Sequence, residues 1–162
     1  MRRSSSTQNR FDRRRRVLCA GALGLAACQS LVTAQALPIV EVWKSPTCGC
    51  CGDWVRYLEA NGFRTRVFDV GSVKKRAEMG VDLRYGSCHT AVVGGYAIEG
   101  HVPAREIRRL LRERPTAIGL AVPGMPIGSP GMDGPEYGGR RDAYEVLLLT
   151  KDGRSSVFQA YS

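Results

Sequence analysis

An α/β fold is predicted for this chain from three observations. An alternating apolar run, Ile39-Val40-Glu41-Val42-Trp43, leads through three cysteines in four residues, Cys48-Gly49-Cys50-Cys51, into an amphipathic stretch from Trp54 to Ala60. This reads as a strand, a tight turn and a helix. Strand-like and helix-like segments then alternate as far as Arg112, and a Pro/Gly-rich stretch separates them from two last apolar runs. At 162 residues the chain is long enough for one domain with its own core.

The first strand covers about Ile39 to Lys44, and Pro46 helps to end it. The helix after the thiol turn ends at Asn61-Gly62. Phe63 to Val70 alternates with period two and predicts a second strand. Val73 to Met79 predicts a short helix, with Ser72 as N-cap and Gly80 as its end. Tyr85 to His89 is a loop, and Thr90 to Val93 a third strand. Gly94-Gly95 makes a tight hairpin turn into a fourth strand, Tyr96 to Val102. Pro103 suits a first helical position, and Ala104 to Arg112 places Ile107, Leu110 and Leu111 on one helix face. The arginines of that helix, Arg105, Arg108, Arg109 and Arg112, with Arg114 beyond, read as a solvated face. Leu120 to Met132 is rich in Pro and Gly and predicts loop, with little helix or strand character. Tyr144 to Leu149 and Ser156 to Tyr161, around Lys151-Asp152-Gly153, predict a C-terminal hairpin. The order is β-α-β-α-β-β-α, then the loop and the hairpin. A strand–CxxC–helix opening to that order is the pattern of a thioredoxin-like domain, with Cys48 and Cys51 alone at CxxC spacing.

The N-terminus reads differently. Residues 1–36 hold seven arginines and one aspartate. Arg10 to Arg16 form a basic region ahead of an apolar run, Val17 to Ala27, that is too short to span a bilayer. Arg14-Arg15-Arg16-Val17-Leu18 resembles a twin-arginine export motif. Two cleavage points compete. Ala34-Gln35-Ala36 would release a soluble product, whereas Leu25-Ala26-Ala27-Cys28 is similar to a lipobox and would tether the product through Cys28. Residues 1–36 are thus expected to be an export signal and 37–162 the working domain, located in the periplasm of a bacterial envelope. The whole chain carries a formal charge of +9, but residues 37–162 account for only +3 of it. No nucleic-acid surface is read from so mild a balance, and a membrane enters only through the lipid anchor at Cys28.

The thiols carry the chemistry. A helix N-terminus favours negative charge, hence thiolate over thiol. Purely structural stapling is a poor use of them, because adjacent Cys50 and Cys51 make a strained pair and Cys48–Cys51 closes a tiny loop. Two uses stay open. In a thiol–disulfide oxidoreductase, Cys48 would be the attacking thiolate and Cys51 the resolving partner, leaving Cys50 and Cys88 unassigned. In a soft-metal site, crowded thiolates suit Cu(I), even as a multinuclear cluster. Zinc is the less suited competitor, since structural zinc usually draws on two spaced ligand pairs. Cys88 and His89 occupy the loop before the third strand, where thioredoxins carry a cis-proline, so both can face the CxCC turn. His89 and His101 are secondary ligand candidates, each with the plain alternative of a hydrogen-bonded histidine. Met125 and Met132 in the Pro/Gly loop are thioether candidates, with gap-filling as the alternative.

Five stretches together carry a family likeness. They are Lys44 to Gly52, Ser87-Cys88-His89-Thr90-Ala91, Glu99-Gly100-His101-Val102-Pro103, Gly119 to Pro126 and Gly128 to Met132. On these the chain resembles the CxCC-type metal-binding family, a thioredoxin-like domain of unknown function that includes the periplasmic copper-resistance protein CopG. The resemblance implies copper held by Cys48, Cys50 and Cys51, with Cys88 matching the family's fourth thiol. It also implies a role in copper tolerance through sequestration, transfer or Cu(I)/Cu(II) redox handling, alongside other periplasmic copper-handling proteins.

Overall fold

The computed structural model describes residues 37–162. The export motif, the lipobox at Cys28 and the cleavage point at Ala36 lie outside the described residues. Twelve elements follow in order: β1 Val40–Lys44, α1 Gly49–Ala60, β2 Thr65–Phe68, α2 Val73–Glu78, a 3-10 turn at Leu83–Tyr85, β3 His89–Val93, β4 Tyr96–Glu99, α3 Ala104–Glu113, β5 Gly119–Ala121, a 3-10 turn at Pro135–Tyr137, β6 Tyr144–Leu149 and β7 Ser155–Tyr161.

The strands form one seven-stranded mixed sheet in the order β2-β1-β3-β4-β5-β6-β7. β1 runs parallel to β2, with α1 as the crossover, and antiparallel to β3. β3 and β4 form the hairpin read at Gly94-Gly95. α3 then crosses over to β5, which lies parallel to β4. The β6–β7 hairpin extends the sheet from β5, with a bulge between Val146 and Leu147. The sheet has apolar groups on both faces. Val40, Val42, Ala91, Val93, Ile98 and Leu120 pack against Trp54 and Leu58 of α1 and Ile107 and Leu110 of α3. On the other side Ala97, Ala121 and Leu149 form a smaller cluster with Val81, beside Met79 and Tyr85.

Four readings of the sequence need correction. Gly119-Leu120-Ala121, placed at the edge of an irregular loop, is a strand buried at all three positions. Its three residues are too few to display a period, and burial on both faces removes the polar alternation that marks a strand. Ser72 precedes α2 but makes no side-chain cap; its Oγ accepts from Arg76 Nη2 at 3.3 Å instead. Pro103 sits at the N-cap of α3, one residue before the first helical position. The arginine face of α3 is also less solvated than expected. Arg109 lies 4.1 Å from the Phe158 ring centre and donates to the Phe158 carbonyl at 3.0 Å, while Arg108 covers Phe63 at 5.1 Å. Their guanidinium groups lie over aromatic rings and also donate to the Asn61 and Phe158 carbonyl oxygens.

Because β5 joins the hairpin to the first four strands, its central side chain has a large effect on stability. Leu120→Ala is expected to lower the unfolding free energy by about 2–5 kcal/mol in a urea titration, the cost of a cavity in a packed core. A change below about 0.5 kcal/mol would be that of a surface loop residue.

Candidate metal centre

The site is assembled by the end of β1 and the start of β3. Lys44, the last residue of β1, pairs with His89, the first of β3. The chain leaving β1 turns through Ser45–Thr47, closed by Cys48 N–H donating to the Ser45 carbonyl at 3.1 Å, and enters α1 with Cys48 as N-cap. No acidic side chain occupies the first turn of α1. The positive end of the helix is therefore left to the sulfurs of Cys48, Cys50 and Cys51.

Cys88 enters from the other segment. The sulfurs of Cys48, Cys50, Cys51 and Cys88 all lie within 4.8 Å of one another. Cys48 and Cys51 are joined as a disulfide, and Cys50 and Cys88 are free thiols. Cys50 Sγ lies 3.6 Å from Cys48 Sγ, and buried Cys51 sits 3.8 Å from the Cys88 carbonyl oxygen.

Cys88 also belongs to a second close set with His89 and His101. Cys88 Sγ is 3.1 Å from His101 Nε2 and 3.5 Å from His89 Nδ1. Both imidazoles are fully buried. His101 Nδ1 lies 2.7 Å from the Pro130 carbonyl oxygen. A carbonyl only accepts, so Nδ1 carries the proton and the Nε2 lone pair of the neutral ring points at the Cys88 sulfur. A backbone carbonyl on the far nitrogen is the arrangement that orients a metal-ligating histidine. His89 packs against Trp54 with ring centres 4.3 Å apart and planes tilted by 39°, and its Nε2 is the one buried side-chain nitrogen or oxygen with no hydrogen-bond partner among the described residues. An unpaired polar atom at such depth is costly unless something else satisfies it.

The electrostatics follow from burial. Burial, then the charge of His101, pulls the His89 pKa well below its ordinary value. Burial also lowers His101, against the opposing bond to Pro130. Both rings are thus neutral at pH 7 and keep a lone pair to offer. Burial first, and then the Cys50 charge, pushes the Cys88 thiol up to about 12. Without a metal Cys88 is a thiol. A soft cation beside it would supply the positive charge that deprotonation needs.

The Pro/Gly segment covers the thiol turn. Gly131 has φ +84°, and a Cβ there would lie 2.8 Å from the Cys50 carbonyl and 2.7 Å from the Trp54 nitrogen, so only glycine lets the loop lie this close to α1. The two methionines of this segment have other surroundings. Met125 is 51% exposed, and the Met132 sulfur accepts from the Tyr137 hydroxyl at 3.3 Å.

His101 was legible to a closer reading of the hairpin. With Gly94-Gly95 as a two-residue turn, Val93 pairs with Tyr96 and Thr90 with Glu99. Two steps further out the same register sets Cys88 opposite His101, and Gly100 N–H donating to the His89 carbonyl at 3.0 Å continues the ladder. Ser87 and Glu99 stand in two of the family stretches with no role of their own, and nothing in the sequence marked Arg76; the three bond to one another behind Cys88.

The donor set of soft thiolates and neutral imidazoles fits a soft late-transition cation and does not suit a hard one. The family model described as "Protein of unknown function, DUF411" matches residues 85–132, the segment holding Cys88, His89, His101 and both loop methionines. Two solved structures of copper resistance protein CopG, forms 2 and 1, superpose with a TM-score of 0.71 at 45% identity. They cover 78% and 77% of this chain and 99% and 98% of their own. No curated protein sequence matches the chain.

The raised Cys88 pKa has a direct consequence for the metal-free protein. The folded state holds the Cys88 proton more tightly than the unfolded chain, so the stability this gives is full below pH 9 and is lost as pH rises toward 12. Alkylation at Cys88, followed by peptide mass, is expected to keep accelerating from pH 8 to pH 11. A plateau near pH 9 would show an unperturbed thiol.

Proposed function

The chain belongs to the family that includes copper resistance protein CopG, and we propose that it is an envelope copper-binding protein holding Cu(I) through its CxCC thiolates. Four cysteine sulfurs from two separate segments meeting within 4.8 Å carry this reading. Once Cys48 and Cys51 are reduced, Cys48, Cys50, Cys51 and Cys88 are the primary ligands. Several thiolates in so small a volume bridge more than one soft ion more readily than they enclose one tetrahedral zinc. His101 and His89 add neutral nitrogen donors, and Met132 and Met125 are outer thioether candidates. The role is copper tolerance, by sequestration, transfer to other periplasmic copper-handling proteins, or Cu(I)/Cu(II) redox handling. The domain is thioredoxin-like in its first four strands and works in the periplasm, either soluble after cleavage at Ala36 or anchored through Cys28.

The disulfide between Cys48 and Cys51 favours a second reading, a thiol–disulfide oxidoreductase with Cys48 attacking and Cys51 resolving. The two differ on Cys50. Reduced protein is titrated anaerobically with Cu(I) against a competing chelator, and bound metal is counted per chain. Uptake of more than one Cu(I), reduced in Cys50→Ser and abolished in the Cys48/Cys50/Cys51 triple serine variant, is the expected result. No competitive uptake, with disulfide exchange retained in Cys50→Ser, would leave the oxidoreductase.

A further inference from the structure

Behind Cys88 lies a buried ion pair for which copper binding by thiols and imidazoles supplies no task. Glu99, the last residue of β4, is fully buried, and Arg76 of α2 is nearly so. Arg76 Nε and Nη2 lie 2.9 and 2.7 Å from Glu99 Oε1. Both residues also reach Ser87. The Ser87 N–H donates to Glu99 Oε1 at 2.6 Å, and the Ser87 carbonyl accepts from Arg76 Nη2 at 2.5 Å. Glu99 Oε2 accepts from the Thr90 hydroxyl at 2.6 Å, two residues beyond Cys88. The Ser87 hydroxyl donates to the Gly124 carbonyl, so every polar atom of Ser87 is engaged. Packing removes the remaining freedom. Gly100 has φ +71°, and a Cβ there would lie 2.6 Å from Ser87 Oγ and 2.5 Å from the Val122 carbonyl.

The two bonds to Ser87 fix two successive peptide planes, and the second carries the Cys88 nitrogen. On its other side Cys88 runs into β3, where Thr90 is tied to the same carboxylate. The Cys88 backbone is held at both ends, and only its χ1 is left to packing. A buried ion pair is weak evidence of stabilisation, because an apolar replacement is often neutral or better. What a guanidinium and a carboxylate do well is fix direction.

We propose that Arg76 and Glu99 are positioning residues for Cys88, holding its sulfur toward Cys50, Cys51 and His101 so that the fourth thiol is preorganised. Neither belongs to the four-thiol set or to the Cys88, His89 and His101 set. The inference rests on the copper reading for what Cys88 is positioned to do; the positioning itself belongs to the metal-free protein.

The full chain is compared with Arg76→Lys and with the neutral pair Arg76→Gln/Glu99→Gln, which keeps hydrogen-bonding groups and leaves no lone buried charge. In metal-free protein, alkylation is followed at Cys88 and at Cys50 by peptide mass. Severalfold faster reaction at Cys88, with Cys50 unchanged, is expected. Cu(I) affinity in chelator competition should fall about tenfold, as for loss of an outer-shell partner. Folded variants with unchanged Cys88 alkylation overturn the proposal, as does equal acceleration at both cysteines, which would mark general loosening. Should neither variant fold, Thr90→Val removes one bond to Glu99 and keeps the charge pair. A smaller acceleration confined to Cys88 supports the proposal, and none overturns it. A wild-type protein that takes up no Cu(I) defeats the copper reading, while the alkylation rates still decide the positioning.

Discussion

The antiparallel ladder between β1 and β3 is the constraint on which the site depends. It sets Lys44 opposite His89, so the end of one strand lies beside the start of the other. The chain leaves β1 into the thiol turn and arrives at β3 through Ser87 and Cys88. Two segments nearly forty residues apart in sequence, at Cys50 and Cys88, are thereby brought into one small volume. A one-residue slip in this pairing would reverse which face each side chain takes, and would separate His89 from Trp54. The apolar face formed by Val40, Val42, Ala91 and Val93 guards against that slip, because it would turn the pair on the shifted strand away from the main core.

Around this junction the protein places groups that are expensive to bury. Two imidazoles, a thiol and an ion pair sit in or beside the core, and one imidazole nitrogen has no partner among the described residues. The cost is offset locally by neutralising the rings, by giving His101 a carbonyl and by giving Glu99 hydrogen bonds on both oxygens. Such an arrangement strengthens whatever charge-dependent contact is made there, because little water competes with it. The Pro/Gly segment adds to the exclusion of water, through a glycine that lets backbone lie directly on the first turns of α1.

Much of this was legible before the structure. β1, the thiol turn and α1 announce themselves by alternation followed by helical spacing, and the Gly94-Gly95 and Asp152-Gly153 turns mark both hairpins. What could not be read were the features created by distant partners. β5 is three residues long and buried on both sides, so it carries no period. Arg76 looks like one more cation on a polar helix until Glu99 is found beneath it, twenty-three residues away. The arginines of α3 read as solvated because their aromatic neighbours Phe63 and Phe158 lie in distant parts of the chain. His101 falls between these cases: its role follows from the hairpin register, which relates it to Cys88 across the turn.

The contact between Trp54 and His89 has a practical consequence. The protein has two tryptophans, and they sit in different surroundings. Trp54 lies in the core, donates its indole N–H to the Val102 carbonyl at 2.9 Å and faces His89. Trp43 is on the opposite side of the sheet, stacked on Phe68 with Lys75 above it. One indole therefore touches a candidate ligand, and the other lies across the sheet from it. The molecule thus carries its own fluorophore against His89, so a change at that imidazole becomes an optical signal without a label.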